Sequence, residues 1–122
     1  MIYTSYYAMY GKRPQPGMLA VQISNTIPNW FGLECLDWSR FAPEWKDING
    51  FRQGLLSESE FKRNYLETLN RKFIKSDVVS EVYELLNDND SVVFLCYEKA
   101  GETCHRHWFA EWLGLGLTEL KY

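Results

Sequence analysis

The sequence has 122 residues, 46% of them hydrophobic and 24% charged, and a net charge of −3. This length and composition predict one globular domain over residues 1–122 whose core needs no disulfide and no metal. The acidic balance and the absence of a Lys or Arg run argue against a protein that grips duplex nucleic acid through its phosphates. No apolar run approaches the roughly 20 residues that span a bilayer, so no membrane partner is expected.

The N-terminal part predicts two strands. Residues 1–5, MIYTS, are rich in strand-forming side chains and are followed by a loop over 6–17 that contains Gly and Pro. Residues 18–24, MLAVQIS, form a nearly continuous apolar run that favours a strand buried on both faces, as in a parallel sheet.

An irregular segment follows over residues 25–45, with two prolines and three tryptophans. It is expected to cover one end of the sheet as a lid or wall. Aromatic residues make up 16% of the chain, and although most such rings pack in cores, an excess of them mildly favours a ligand cleft.

The C-terminal half alternates helices and strands. A capping box at Ser57 and Glu60 predicts a helix over 58–74, and a second helix is expected from residue 76 or 77 until the break at 88–90. A strand over 91–96 precedes a last helix over 104–113, which Thr103 would cap and two glycines, Gly114 and Gly116, would end. The tail LTELKY predicts a short edge strand.

Strands that alternate with helices predict an α/β sandwich with a mainly parallel sheet. Ligands of such folds gather beyond the carboxyl ends of the strands. Three loops are expected to meet there, at residues 5–7, 24–26 and 97–103. They supply the candidate ligand-binding side chains Ser5, Tyr6, Ser24, Asn25 and Tyr97.

The stretch CYEKAGETCHRHWFAEWL, residues 96–113, concentrates the reactive side chains. Its candidate binding residues are Cys96, Glu98, Cys104, His105 and Arg106, because a helix N-terminus lowers the pKa of an exposed thiol and an arginine there can bind a carboxylate or phosphate. Glu98, Cys104 and His105 are also the candidate catalytic residues, as general acid/base, nucleophile and assisting base.

Each of these residues also has a structural interpretation. Cys96 and Cys104 suit small buried core positions, and His105 suits a histidine bonded to a nearby backbone carbonyl. Arg106 suits an internal salt bridge to Glu98 or Glu102.

No cofactor and no metal are predicted. A zinc site of Cys96, Cys104 and His105 with Cys35 is the sharpest alternative, but the spacing matches no common zinc motif and adjacent Cys and His are awkward ligands for one tetrahedral ion. The sequence contains no P-loop, no nucleophile elbow and no dinucleotide-binding glycine motif in its proper context.

Three cysteines, an odd number, and the opening MIYTSYYAMYGKR, which lacks a secretory leader, predict a reducing cytoplasm with free thiols.

The stretch LCYE at 95–98 with CHRHWFAEWL at 104–113 resembles the Cys-x-Glu…Cys-His-Arg hallmark of an uncharacterised bacterial and phage family, domain of unknown function 488. IYTS at 2–5 resembles the first strand of that family, AVQIS at 20–24 its second strand, and residues 42–69 its helical insert before the last strand. The resemblance implies a compact Rossmann-like three-layer sandwich with a pocket around the hallmark, and it implies no activity. Many members have an arginine just after the second strand, where this chain has Ser24, Asn25 and Thr26. If that arginine binds an anion, this protein must use another, such as Arg40 or Arg52.

The leading hypothesis is a binding module for a small anionic or nucleotide-like ligand, with Arg106 holding the anion and Tyr6, Tyr7, Trp30 or Tyr97 stacking on a ring. Two alternatives remain open. One is an enzyme that acts on a nucleotide, a sugar phosphate or a nucleic-acid end. The other is a protein-interaction module that uses the Trp-rich segment 28–45. The small size and the aromatic excess are compatible with a homodimer.

Overall fold

The computed structural model describes residues 1–97 and 104–121. Its elements in chain order are β1 (Ile2–Tyr6), α1 (Tyr7–Lys12), β2 (Met18–Gln22), β3 (Leu36–Asp37), a 3-10 turn (Ser39–Phe41), α2 (Trp45–Arg52), α3 (Glu58–Lys72), α4 (Lys75–Asp88), β4 (Ser91–Cys96), α5 (His105–Leu113) and β5 (Leu117–Glu119).

The strands form one five-stranded sheet in the order β3-β2-β4-β1-β5, and every neighbouring pair is parallel. The central strand β4 pairs with β1 on one side and with β2 on the other. This confirms the predicted α/β class with a mainly parallel sheet, and the layering agrees with a Rossmann-like sandwich.

Alternate residues of β4 enter two different cores, as the period of a strand requires. Val92 and Phe94 pack in the larger core with α3, α4 and α5, whereas Val93 and Leu95 pack with α1 and the segment after β2. Burial on both faces explains why SVVFLC is the clearest strand in the sequence.

The predicted capping box is present: the Ser57 hydroxyl accepts from the Glu60 amide, and the Glu60 carboxylate accepts from the Ser57 amide. Gly114 ends α5 with a φ of 68°, a left-handed conformation that costs glycine little. The tail forms the expected edge strand, which pairs with β1. The predicted Thr103 cap lies outside the described residues, and the residue at the N-cap position is Cys104.

Two elements differ from the sequence-based expectation. The loop predicted over 6–17 contains α1, which is only six residues long and is anchored by the buried rings of Tyr7 and Tyr10. The segment predicted to be irregular over 25–45 contains the two-residue strand β3. It leads into α2, which lies in the stretch 42–69 that resembles the helical insert of the family. Both misses concern short elements that tertiary packing stabilises.

Candidate functional site

The carboxyl ends of β2 and β4 lie side by side because these neighbouring strands are parallel, with Gln22 in register with Leu95. The residues that follow β2 therefore approach the last residue of β4. The N-terminus of α5 returns to the same place, which brings Cys104 and His105 beside Cys96. This convergence is the one predicted from the order of strands and helices.

A cavity of about 680 Å³ opens over these two strand ends, beneath α2. Six of the ten predicted binding residues line it, namely Ser24, Asn25, Cys96, Tyr97, Cys104 and His105. The other lining residues are Thr26, Pro43, Trp45, Ile48, Phe51, Arg52 and Phe61.

A chain of hydrogen bonds shapes the polar side of this cavity. The buried Tyr7 hydroxyl donates to Ser24 Oγ over 2.6 Å, and Ser24 Oγ donates to the Thr26 carbonyl over 2.7 Å. Thr26 Oγ1 is 2.9 Å from the Tyr97 hydroxyl. Burial raises the pKa of Tyr7 far above its usual value, so its phenol remains a donor. Tyr7 thus positions the cavity wall and is too buried to stack on a ligand.

His105 is buried at the base of the cavity, and its Nε2 is hydrogen-bonded to the Ile23 carbonyl. A carbonyl can only accept, so Nε2 carries the proton and Nδ1 keeps its lone pair. Nδ1 lies 4.0 Å from Cys104 Sγ. Desolvation lowers the pKa of His105 to about 4, which keeps the ring neutral near pH 7. The expected bond to a backbone carbonyl is confirmed.

The sulfurs of Cys96 and Cys104 are within bonding distance of each other, which makes them a disulfide in their oxidised form. Both residues are almost completely buried and line the cavity. The expectation that all thiols are free is therefore wrong for this pair. It holds for Cys35, which lies among Leu19, Glu34 and Leu36 and whose pKa burial raises to about 11.

Arg106 is fully buried and is not among the residues that line the cavity. Its guanidinium donates to both carboxylate oxygens of Glu119 in β5, over 3.0 and 2.9 Å, and its Nη1 donates to Cys96 Sγ over 3.2 Å. The prediction that Arg106 holds the anion is wrong for this arrangement, because the charge is already paired inside the protein. The expected internal salt bridge is present, with Glu119 as the partner in the described part of the chain.

Ser5 and Tyr6 are also removed from the cavity. They belong to β1, which lies one strand further from β2 than β4 does. Ser5 is buried, and the Tyr6 ring packs against the Arg106 guanidinium at 5.7 Å. The prediction that Ser5 and Tyr6 bind the ligand does not fit this cavity, because it is lined from the ends of β2 and β4.

Arg52 supplies the permanent charge among the described residues that line the cavity. Its alternative, Arg40, instead pairs with Glu81 over 3.1 Å and lies over the Trp38 ring. Arg52 is exposed at the end of α2, so its guanidinium has access to solvent and to the cavity.

The apolar wall was not among the predicted binding residues. Trp45, Ile48 and Phe51 come from α2, and Phe61 comes from α3. Their spacing of three from Trp45 to Ile48 to Phe51 is a helical signal that the surrounding prolines, Asn and Gly obscured. Trp30, a predicted stacking residue, is 60% exposed and does not line the cavity.

Two further predictions concern the acid/base candidate Glu98 and the absence of a membrane partner. Glu98, the candidate acid/base, lies outside the described residues, as does Glu102. None of the helices in the described ranges combines the length and apolarity that a bilayer crossing requires.

Comparison with known proteins supports the resemblance noted in the sequence. The family model described as "Domain of unknown function DUF488" matches residues 22–113, three quarters of the chain. The match begins at the last residue of β2 and includes α2, β4 and the whole of α5, and it therefore contains every described residue that lines the cavity. No curated protein and no solved structure matches the chain.

Proposed function

The protein belongs to the DUF488 family, whose description assigns no activity, and we propose that it binds a small anionic, nucleotide-like molecule in the cavity under α2. The observation that carries this proposal is the composition of the cavity wall. An apolar aromatic side, a polar side made by the loop after β2, and one accessible arginine face the same space.

The aromatic side suits a planar ring. Trp45 is half exposed, and Phe51 and Phe61 lie with their ring centroids 5.1 Å apart. Rings of this kind bind nucleobases and sugars through stacking and apolar contact. The cavity volume falls within the roughly 300–1,000 Å³ of typical small-molecule sites, so a mononucleotide is of suitable size.

The polar side suits a sugar or phosphate. Thr26 and Tyr97 offer hydroxyl groups, and Asn25 is held by its side-chain bond to the Pro43 carbonyl over 3.0 Å. Arg52 would form charge-assisted hydrogen bonds with an anion, each worth about 1.5–3 kcal/mol. Arg52 therefore takes the role that the sequence had suggested for Arg106.

Isothermal titration calorimetry with AMP, UMP, ribose phosphate and inorganic phosphate tests this function. We expect saturable binding of at least one organic phosphate by the wild-type protein. Arg52→Ala should weaken it about tenfold or more, since a charged hydrogen bond is lost. Trp45→Ala should weaken the binding of the nucleotides more than the binding of ribose phosphate, because the contact with the nucleobase ring is lost.

Two matched variants serve as controls. Arg63→Ala removes an exposed arginine of α3 that does not line the cavity, and Trp30→Ala removes a tryptophan of similar exposure outside it. Neither should change the affinity by more than about twofold, a shift under about 0.5 kcal/mol. Equal losses in the control and cavity variants, or no binding of any organic phosphate, would contradict the proposal.

The alternatives are not favoured by a specific contact. An enzymatic role with Cys104 as the nucleophile would require the reduced pair, because in the oxidised form the Cys104 sulfur is bonded to Cys96. The tryptophans of segment 28–45 do not form one exposed contact surface, because Trp38 is buried whereas Trp30 is exposed. A homodimer, with which the small size and the aromatic excess are compatible, and a cytoplasmic location remain predictions.

A further inference from the structure

We propose that Cys96, Cys104 and His105 bind one zinc-like divalent metal ion at the base of the cavity, with one coordination position open to the cavity. The two sulfurs and His105 Nδ1 are the ligand atoms. The site is distinct from the ligand contacts of Arg52 and Trp45, and its occupation does not depend on the identity of the small molecule.

The three side chains converge from two elements. Their ligand atoms lie within 4.8 Å of one another, and all three residues are buried. In a tetrahedral zinc site with Zn–S of about 2.3 Å and Zn–N of about 2.0 Å, neighbouring ligand atoms are about 3.5–3.8 Å apart. The 4.0 Å from Cys104 Sγ to His105 Nδ1 is close to that spacing, although adjacent Cys and His were expected to be awkward ligands for one tetrahedral ion.

The tautomer of His105 is the one that a metal ligand needs. Nε2–H is committed to the Ile23 carbonyl, so the Nδ1 lone pair is available on the side of the sulfurs. Metal-bound histidines usually donate their other N–H to a backbone carbonyl or a carboxylate, which fixes the ring. The Ile23 carbonyl provides that support here.

The backbone spacing of the two cysteines also suits an ion between them. Their Cα atoms are 7.3 Å apart, whereas disulfides usually hold Cα atoms about 4.4–6.8 Å apart. The backbone therefore holds the two Cα atoms further apart than a disulfide prefers, and once the pair is reduced its sulfurs can separate to share one ion.

The charges around the cluster balance when the ion is present. Two thiolates neutralise a divalent ion, and the neighbouring Arg106 is neutralised by Glu119. Arg106 Nη1 donates to Cys96 Sγ, a hydrogen bond that stabilises a metal-bound thiolate. This role explains why a buried arginine sits next to the cysteine pair and does not face the cavity.

The inference revises the zinc alternative drawn from the sequence. Cys35 is not a ligand, because it lies with Leu19 and Leu36, away from the cluster. With three protein ligands, the ion keeps a fourth position. Because Cys96, Cys104 and His105 all line the cavity, this position faces the proposed ligand. Three protein ligands with an exchangeable fourth is the pattern of catalytic zinc sites, whereas structural sites have four.

Binding requires the reduced pair. Each thiol loses its proton to solvent as it bonds to the ion, so two protons are released per metal. If the pair is oxidised, a phosphine reductant must first supply two electrons to break the S–S bond.

Co²⁺ titration of phosphine-reduced, chelator-treated protein tests the site. We expect one equivalent per chain, with thiolate-to-metal charge-transfer absorption and the intense visible bands of a four-coordinate ion. One equivalent of Zn²⁺ should abolish both. Cys96→Ser and Cys104→Ser should lose the charge-transfer absorption or reduce it by half, whereas Cys35→Ser should retain it fully.

X-ray absorption of the wild-type protein loaded with one equivalent of Zn²⁺ keeps the test valid if a variant fails to fold. Two sulfur neighbours at about 2.3 Å and a nitrogen or oxygen shell at about 2.0 Å support the site. No Co²⁺ uptake by the reduced wild type, uptake that survives Cys96→Ser with Cys104→Ser, or a shell without sulfur would overturn it. The Arg52→Ala variant should bind the metal normally, which separates this result from failure of the proposed ligand function.

Discussion

The first prediction concerns the ion pair between Arg106 and Glu119, because its contribution to stability tests whether Arg106 has a structural role. Arg106 is fully buried, and the Glu119 side chain is 23% exposed. Two N–H groups of the guanidinium bond to the two carboxylate oxygens, and Thr4 Oγ1 donates to the same carboxylate. The contact joins α5 to the edge strand β5.

Glu119→Gln keeps the size of the side chain and removes its charge. Loss of one partner of a buried ion pair costs about 3–5 kcal/mol, because the remaining charge loses its compensation. Partial exposure of Glu119 and the contact of Arg106 with Cys96 Sγ favour the lower end, about 3 kcal/mol. At about 4 °C per kcal/mol for a chain of this size, the melting temperature should fall by about 12 °C.

Urea unfolding at neutral pH, followed by tryptophan fluorescence, measures this loss. Glu111→Gln is the matched control, because Glu111 pairs with Lys62 at 2.9 Å on the surface, with side chains 64% and 36% exposed. Such exposed pairs contribute about 0–1 kcal/mol. Equal losses of stability in the two variants would refute the argument that burial makes Arg106 a structural residue.

Three further predictions concern single contacts. Because the pKa of His105 is lowered from 6.5 to about 4, the unfolded chain binds a proton in this range that the folded protein excludes. The free energy of unfolding of the metal-free protein should therefore fall by about 3 kcal/mol as the pH falls from 6.5 to 4. Urea midpoints measured over this range should depend less on pH in His105→Gln, and identical curves for the variant and the wild type would contradict the assignment. Ser57→Ala should cost about 1 kcal/mol of unfolding free energy through loss of the capping box, and Ser59→Ala, in the first turn of the same helix, should cost clearly less. Tyr65→Phe removes the buried bond to the Phe41 carbonyl and should cost about 1–2 kcal/mol, whereas a comparable loss in Tyr83→Phe, at a 54% exposed position, would show that the buried bond is not the cause.

Much of the fold could be predicted because its strongest signals are local. SVVFLC is a continuous apolar run, and the helix after Ser57 carries a capping box and a regular apolar face. Parallel strands then place the loop after β2 beside the end of β4, which is why Ser24, Asn25 and Tyr97 were predicted correctly as neighbours of Cys96.

The remainder depended on long-range partners that no local pattern encodes. Nothing near Arg106 in the sequence indicates that β5 would bring Glu119 to it, 13 residues later, and the strand order that separates β1 from the cavity is a property of the whole sheet. The sequence offered both Arg40 and Arg52 as the anion-binding arginine. Only the folded structure shows that Arg52 lines the cavity, whereas Arg40 pairs with Glu81.

The most direct test of the central claim, that the cavity under α2 is the ligand site, is an NMR titration of the ¹⁵N-labelled protein with AMP. We predict saturable amide shifts at Asn25, Trp45, Arg52 and Tyr97, with residues near Trp30 and Cys35 unchanged. Saturable shifts confined to other surfaces, or no shifts at millimolar AMP, would contradict the account.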